Sequence, residues 1–69
     1  MEGFIKLGSV QQYAINEEEY KNVVERVKKE HEKCNKGLII KTDTTPELEE
    51  LKFSNNEEQR FYVNIYTQK

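Results

Sequence analysis

Between residues 17 and 36 the apolar positions recur at three- and four-residue spacing. Tyr20, Val23, Val24, Val27, His31 and Cys34 fall on one stripe, while Lys, Arg, Glu and Asn fill the remaining positions. That period is the mark of a helix with one buried face. Its start is signalled twice: Asn16 and Glu19 have the spacing of a capping box, and Ile15 and Tyr20 stand where a hydrophobic staple places its two residues. Gly37 offers the left-handed residue that closes a helix, so the pattern predicts one over Glu17–Lys36. Its charges are graded along the macrodipole, from Glu17, Glu18 and Glu19 at the start to Lys28, Lys29, Lys33 and Lys36 toward the end. Glu17/Lys21, Glu25/Lys29 and Glu32/Lys36 add favourably ordered i,i+4 pairs, so most of this charge is explained by the helix itself.

Elsewhere the period is two. In Arg60–Thr67, Phe61, Val63 and Ile65 point one way and Tyr62, Asn64 and Tyr66 the other, which predicts a two-faced strand. Its apolar face is the natural cover for the valine stripe, since a one-sided helix must bury that stripe against something. Leu38–Thr42 reads as a short strand after the helix. Glu49–Phe53 reads as a second, joined to Arg60–Thr67 through residues 54–58 as a hairpin, with Leu51 and Phe53 toward the core. The competing reading is a helix starting at Thr45-Pro46-Glu47, on which Leu48 and Leu51 have helical spacing. At the N-terminus, Phe4–Leu7 and Val10–Tyr13 flank Gly8-Ser9, a pair suited to a type II′ turn. Either these form a hairpin or Gly8 bends a single strand.

The expected order is therefore ββαβββ or βαβββ. The predicted fold is α+β: one domain over residues 1–69, with a small mixed or antiparallel sheet and one long helix on a single face. This element order has the general shape of β-grasp and related small α+β folds.

Composition narrows the function classes. The chain has 69 residues, 35% of them charged and 35% hydrophobic, which makes a small domain with a thin core. A single Cys excludes an internal disulfide and fits a reducing compartment. The formal net charge of -2 removes the broad basic field of a protein that holds nucleic acid chiefly through phosphates. The longest apolar run, Gly37-Leu38-Ile39-Ile40, is far short of a membrane span, and the N-terminal residues lack the features of a signal peptide, so a cytoplasmic location is expected. Nine Lys against two Arg and twelve Glu against one Asp, with six Asn and one Ala, match AT-rich coding in a low-GC bacterium or its mobile elements.

Catalytic signatures are sparse. His31 and Cys34 are three apart on the helix, a spacing that could join a thiol to a base or supply two zinc ligands. Both lie on the apolar stripe, where packing is the simpler role, and a tetrahedral site would need a second copy of the chain. Asp43 among Thr42, Thr44 and Thr45 lacks the alternating acids and central Gly of a calcium loop. Gly3, Gly8 and Gly37 are too scattered to cradle a phosphate. No cofactor, metal or catalytic set is assigned, and a non-enzymatic role is expected.

The remaining candidates are surfaces. If the helix covers Phe61, Val63 and Ile65, then Tyr62, Asn64 and Tyr66 face away from it, with Lys41 and Ile39 beside them on the neighbouring strand. Tyrosines flanking an asparagine offer flat, amphipathic contact area of the sort enriched in protein interfaces. These five residues are the expected partner-binding set, for another protein, for a second copy of the chain, or for both. The expected function is that of a small protein-binding module, of the accessory kind carried by phages and mobile elements to bind and inhibit a host factor. Base stacking on the same tyrosines is the alternative, with Lys6, Lys41, Lys52 and Arg60 as cations. The acids Asp43, Glu47, Glu49 and Glu50 weigh against it. Arg26, Lys28, Lys29, Lys33 and Lys36 give the helix a modestly basic outer end, as expected of a solvated face.

Overall fold

A computed structural model describes residues 3–53 and 57–68. Its elements follow the order β1 (Phe4–Ala14), α1 (Glu17–Cys34), β2 (Ile40–Thr45), a 3-10 turn at Leu48–Glu50, and β3 (Gln59–Gln68). The strands form one antiparallel sheet in the order β1-β3-β2, so the last strand in sequence is the central one. One helix crosses one face of this sheet, the α+β arrangement that the alternating and helical periods imply.

The helix begins where its capping residues place it. Asn16 is extended and its Oδ1 accepts from the Glu19 amide at 2.7 Å. The Glu19 carboxylate reaches back one residue further than a standard box, to the Ile15 amide at 3.2 Å. Glu17–Lys21 and Glu25–Lys29 form exposed ion pairs at 3.3 and 3.7 Å. The helix stops at Cys34, two residues before the expected Lys36, because Asn35 leaves the helical conformation (φ -127°, ψ 55°); its backbone N–H makes the last helical bond, to the His31 carbonyl, and its side-chain nitrogen donates to the same oxygen. Gly37 takes its positive φ of 86° in the turn beyond.

The core is the seam between α1 and the sheet. Val23 and Val27 meet Phe61, Val63 and Ile65, with Ala14 from β1 and Ile40 from β2 completing the buried set. Tyr20 closes one end: its ring lies 4.9 Å from Phe61 and 6.3 Å from Phe53, centroid to centroid, and its hydroxyl is 2.6 Å from Thr44 Oγ1.

Four expectations are corrected by this geometry. Glu49–Phe53 is not a strand: β3 already has β1 on one side and β2 on the other, so no ladder position remains for it. Residues 48–50 form the 3-10 turn instead, after a cis Thr45-Pro46 bond, and Leu51 and Phe53 pack half-buried against the core from outside the sheet. The sheet order is therefore βαββ. Of the expected connection at residues 54–58, residues 54–56 lie outside the described residues. At the N-terminus the single-strand reading holds and the type II′ hairpin does not, because β1 runs unbroken along β3 with one bulge: Lys6 opposes Tyr66 and Gly8 opposes Ile65, leaving Leu7 unpaired. β2 starts two residues later than expected and extends to Thr45, since its register is set by β3, Ile40 opposing Thr67 and Thr45 opposing Tyr62. Cys34 is exposed and not packed, because burial along the stripe fades from Val27 through half-buried His31 to the helix end.

Candidate binding face

The sheet face away from α1 is read directly from the strand register. Paired residues share a face, so five cross-strand rows follow. Tyr13 lies beside Arg60. Gln11, Tyr62 and Thr45 form the next row, then Ser9, Asn64 and Asp43, then Lys6, Tyr66 and Lys41, and finally Phe4 beside Gln68. Among the described residues no helix covers these side chains, and Tyr62 and Tyr13 remain 40% and 45% exposed.

At the centre sits Asn64, which is only 7% exposed although it is on the uncovered face. Its side chain is held from both edges. Ser9 Oγ of β1 donates to Asn64 Oδ1 at 2.7 Å, and Asn64 Nδ2 donates to Asp43 Oδ1 and Thr45 Oγ1 of β2 at 2.8 and 3.0 Å. The amide thus ties all three strands together. Its hydrogen-bonding groups are taken up by Ser9, Asp43 and Thr45, while the side chains of Tyr13 and Tyr62 on the same face are left exposed.

Tyr66 is half-buried beside this network. Its phenol is held above its ordinary pKa, first by partial desolvation and then by the charge and hydrogen bond of the Asp43 carboxylate. Toward the same end, the Lys41 ammonium lies 4.9 Å from the centroid of the Phe4 ring. Phe4 belongs to β1 and Lys41 to β2, so this cation–π contact passes over the central strand and covers part of it. Ile39 lies just before β2 and is exposed. Its carbonyl accepts from the Gln68 amide and from Thr67 Oγ1 at 3.3 and 3.1 Å, which extends the sheet edge by one residue.

Of the five residues singled out from sequence, Tyr62, Asn64, Tyr66 and Lys41 share one face in adjacent rows, and Ile39 is exposed just before β2. Among the suggested cations, Lys6 and Arg60 share the face, whereas Lys52 follows the 3-10 turn and is not on a strand. Sequence reasoning missed Tyr13, Gln11 and Phe4. The signal for Tyr13 was present: in Val10–Ala14 the alternation puts Tyr13 opposite Val10, Gln12 and Ala14, but breaking β1 at Gly8-Ser9 hid its continuity with the rest of the face. Gln11 Nε2 donates to the Tyr13 hydroxyl, fixing that ring along the strand.

The helix pair does not converge on a site. His31 Nδ1 donates to the Val27 carbonyl at 2.9 Å, within its own helix, and Cys34 stands in solvent. Among the described residues no three His, Cys, Asp or Glu side chains gather as a metal would require, and no helix is long and apolar enough to cross a membrane.

Compared with family models, curated proteins and solved structures, the chain matches none.

Proposed function

We propose that this chain is a small non-enzymatic protein-binding module that takes a partner protein on the uncovered sheet face. The observation that carries the proposal is the placement of Tyr13, Tyr62 and Tyr66 on one sheet face, about an Asn64 whose bonds lock the three strands. Tyrosine brings large contact area with few rotatable bonds, and a rigid support keeps the ordering cost of association low. Lys6, Lys41 and Arg60 surround these rings as a charged rim, the anatomy of a protein interface with an aromatic centre.

A polynucleotide fits this face less well. Asp43 holds a carboxylate between the Tyr62 and Tyr66 rows, where the backbone of a stacked strand would pass. That carboxylate also adds, after desolvation, to what holds the Tyr66 phenol above its ordinary pKa. The proposal places the module in the cytoplasm, and the AT-rich residue usage suits a phage or mobile-element accessory protein that occupies and so inhibits a host factor.

The test is affinity capture from a low-GC bacterial extract by the wild type, by Tyr13→Ala/Tyr62→Ala and by Lys29→Ala on the helix, with folding of each checked by circular dichroism. A partner retained by the wild type and Lys29→Ala but lost by the tyrosine variant is expected. Equal capture by all three would remove the face from the mechanism. Salt-sensitive retention of a labelled single-stranded oligonucleotide, lost in the tyrosine variant, would replace the protein reading by the nucleic-acid one.

A further inference from the structure

The two edges of the sheet are guarded very differently. β2 is six residues long, places Lys41 and Asp43 on its short length, and is followed at once by Pro46. Charge and proline are the usual means of keeping an edge from pairing. β1 is eleven residues long and carries a single charge, Lys6, in a chain whose charged fraction is 35%. Beyond the bulge at Leu7, the stretch Gly8–Ala14 has no charge and no proline, and its outer backbone N–H and C=O groups have no partner among the described residues. Of the six large apolar or aromatic side chains left exposed among the described residues, three, Ile5, Leu7 and Tyr13, belong to this same strand.

We propose that β1 pairs antiparallel with β1 of a second copy about a two-fold axis, joining two three-stranded sheets into one of six strands. A two-fold at the middle of this stretch brings Gln11 opposite Gln11 of the second copy and pairs the positions on either side with their mirror positions, so a charge at the axis would face its own like. The absence of charge from Gly8–Ala14 removes that penalty in every register centred there. A strand from an unrelated protein could satisfy the same backbone groups whatever charge this stretch carried, whereas pairing with a second copy requires its centre to be free of like charge, as it is. With one open edge and one closed edge per chain, assembly ends at two subunits and leaves no growing filament.

The symmetry has a structural result. An antiparallel junction with its axis normal to the sheet keeps both helices on one side, so the two uncovered faces become one continuous surface with Gln11 and Tyr13 of both copies at the seam. This inference rests on the sheet edge and stands apart from the partner proposed for the face.

Sedimentation equilibrium from micromolar to millimolar chain, with hydrogen exchange at the same concentrations, tests it. A mass rising from 8.2 kDa to twice that value is expected, with outward amides of Gly8–Ala14 gaining protection as it rises. Gln11→Lys and Gln11→Glu should each weaken the dimer several-fold, and mixing the two variants should restore a heterodimer. A single-chain mass throughout the range would overturn the proposal. So would a dimer whose β1 amides exchange independently of concentration, or one abolished by Tyr62→Ala/Tyr66→Ala yet indifferent to both Gln11 substitutions. Should a Gln11 variant misfold, exchange in the wild type decides alone.

Discussion

Asn64 Nδ2 donates to Asp43 Oδ1 at 2.8 Å directly across the β3–β2 ladder, on the face that no helix covers. A charged acceptor makes this the strongest bond of the Asn64 network. Removing the amide with Asn64→Ala leaves Ser9 and Thr45 without their shared partner and should cost about 1–3 kcal/mol in urea unfolding. Asn64→Asp should cost more at neutral pH, because two carboxylates then share one site. That loss should shrink as the pH falls and one of them takes up a proton.

Tyr66 supplies a prediction at the other end of the pH scale. Its folded-state pKa lies above its unfolded value, so the folded chain binds the proton more tightly. The contribution to stability is complete below the unfolded tyrosine value and is lost as pH rises through the folded one. Tyr66→Phe should flatten the alkaline decline in stability. Asp43→Asn removes a charge and changes the hydrogen bond, and should move the Tyr66 titration downward when followed by the NMR shifts of its ring.

The Tyr20 hydroxyl bridges α1 to the β2 edge through Thr44, whose side chain is buried. Tyr20→Phe keeps the ring against Phe61 and should cost about 1 kcal/mol, whereas Tyr20→Ala opens the end of the core and should cost about 3 kcal/mol or more. A double-mutant cycle with Thr44→Val isolates the bond, and independent, additive losses would show that the two hydroxyls do not couple.

At the helix start, Asn16→Ala removes the side-chain acceptor of the Glu19 amide and should lower stability by about 1 kcal/mol. Asn16→Asp and Asn16→Ser should retain most of it. Equal loss in all three would mean that the cap bond is not what matters at this position.

Cys34 is exposed at the end of the helix, so its thiol should react with a disulfide reagent such as Ellman's in the native state, without prior unfolding. Cys34→Ser should change stability by no more than about 0.5 kcal/mol. Protection of the thiol until global unfolding would restore the packing role that its place on the stripe suggests.

What was legible in the sequence was what local geometry decides. The 3.6-residue period of Val23 and Val27, the Asn16 cap, and the two-faced alternation of Phe61, Val63 and Ile65 against Tyr62, Asn64 and Tyr66 all refer to neighbours a few residues away. The misreadings concern partners far along the chain. Leu51 and Phe53 alternate as a strand would, but whether they pair depends on which elements already flank β3. Cys34 continues the stripe, but whether it is buried depends on how far the sheet extends beneath the helix. The face itself was placed correctly from β3 alone. Its third strand was not, because Phe4, Gln11 and Tyr13 join it only through a register that runs across the whole length of β1.

The central position of β3 also bears on how the chain comes to be folded. β1 and β2 share no ladder with one another, and every strand pairing involves β3, the last of the elements in chain order. During synthesis, residues 4–45 can form the helix, since its bonds are local, but neither outer strand has a partner in this sheet until residues 59–68 have emerged. The closing contacts join residues as far apart as Phe4 and Gln68. Such a chain gathers its sheet in one late step with a high loop-closure cost, and until then the uncharged Gly8–Ala14 stretch of its first strand is open to whatever else can pair with it.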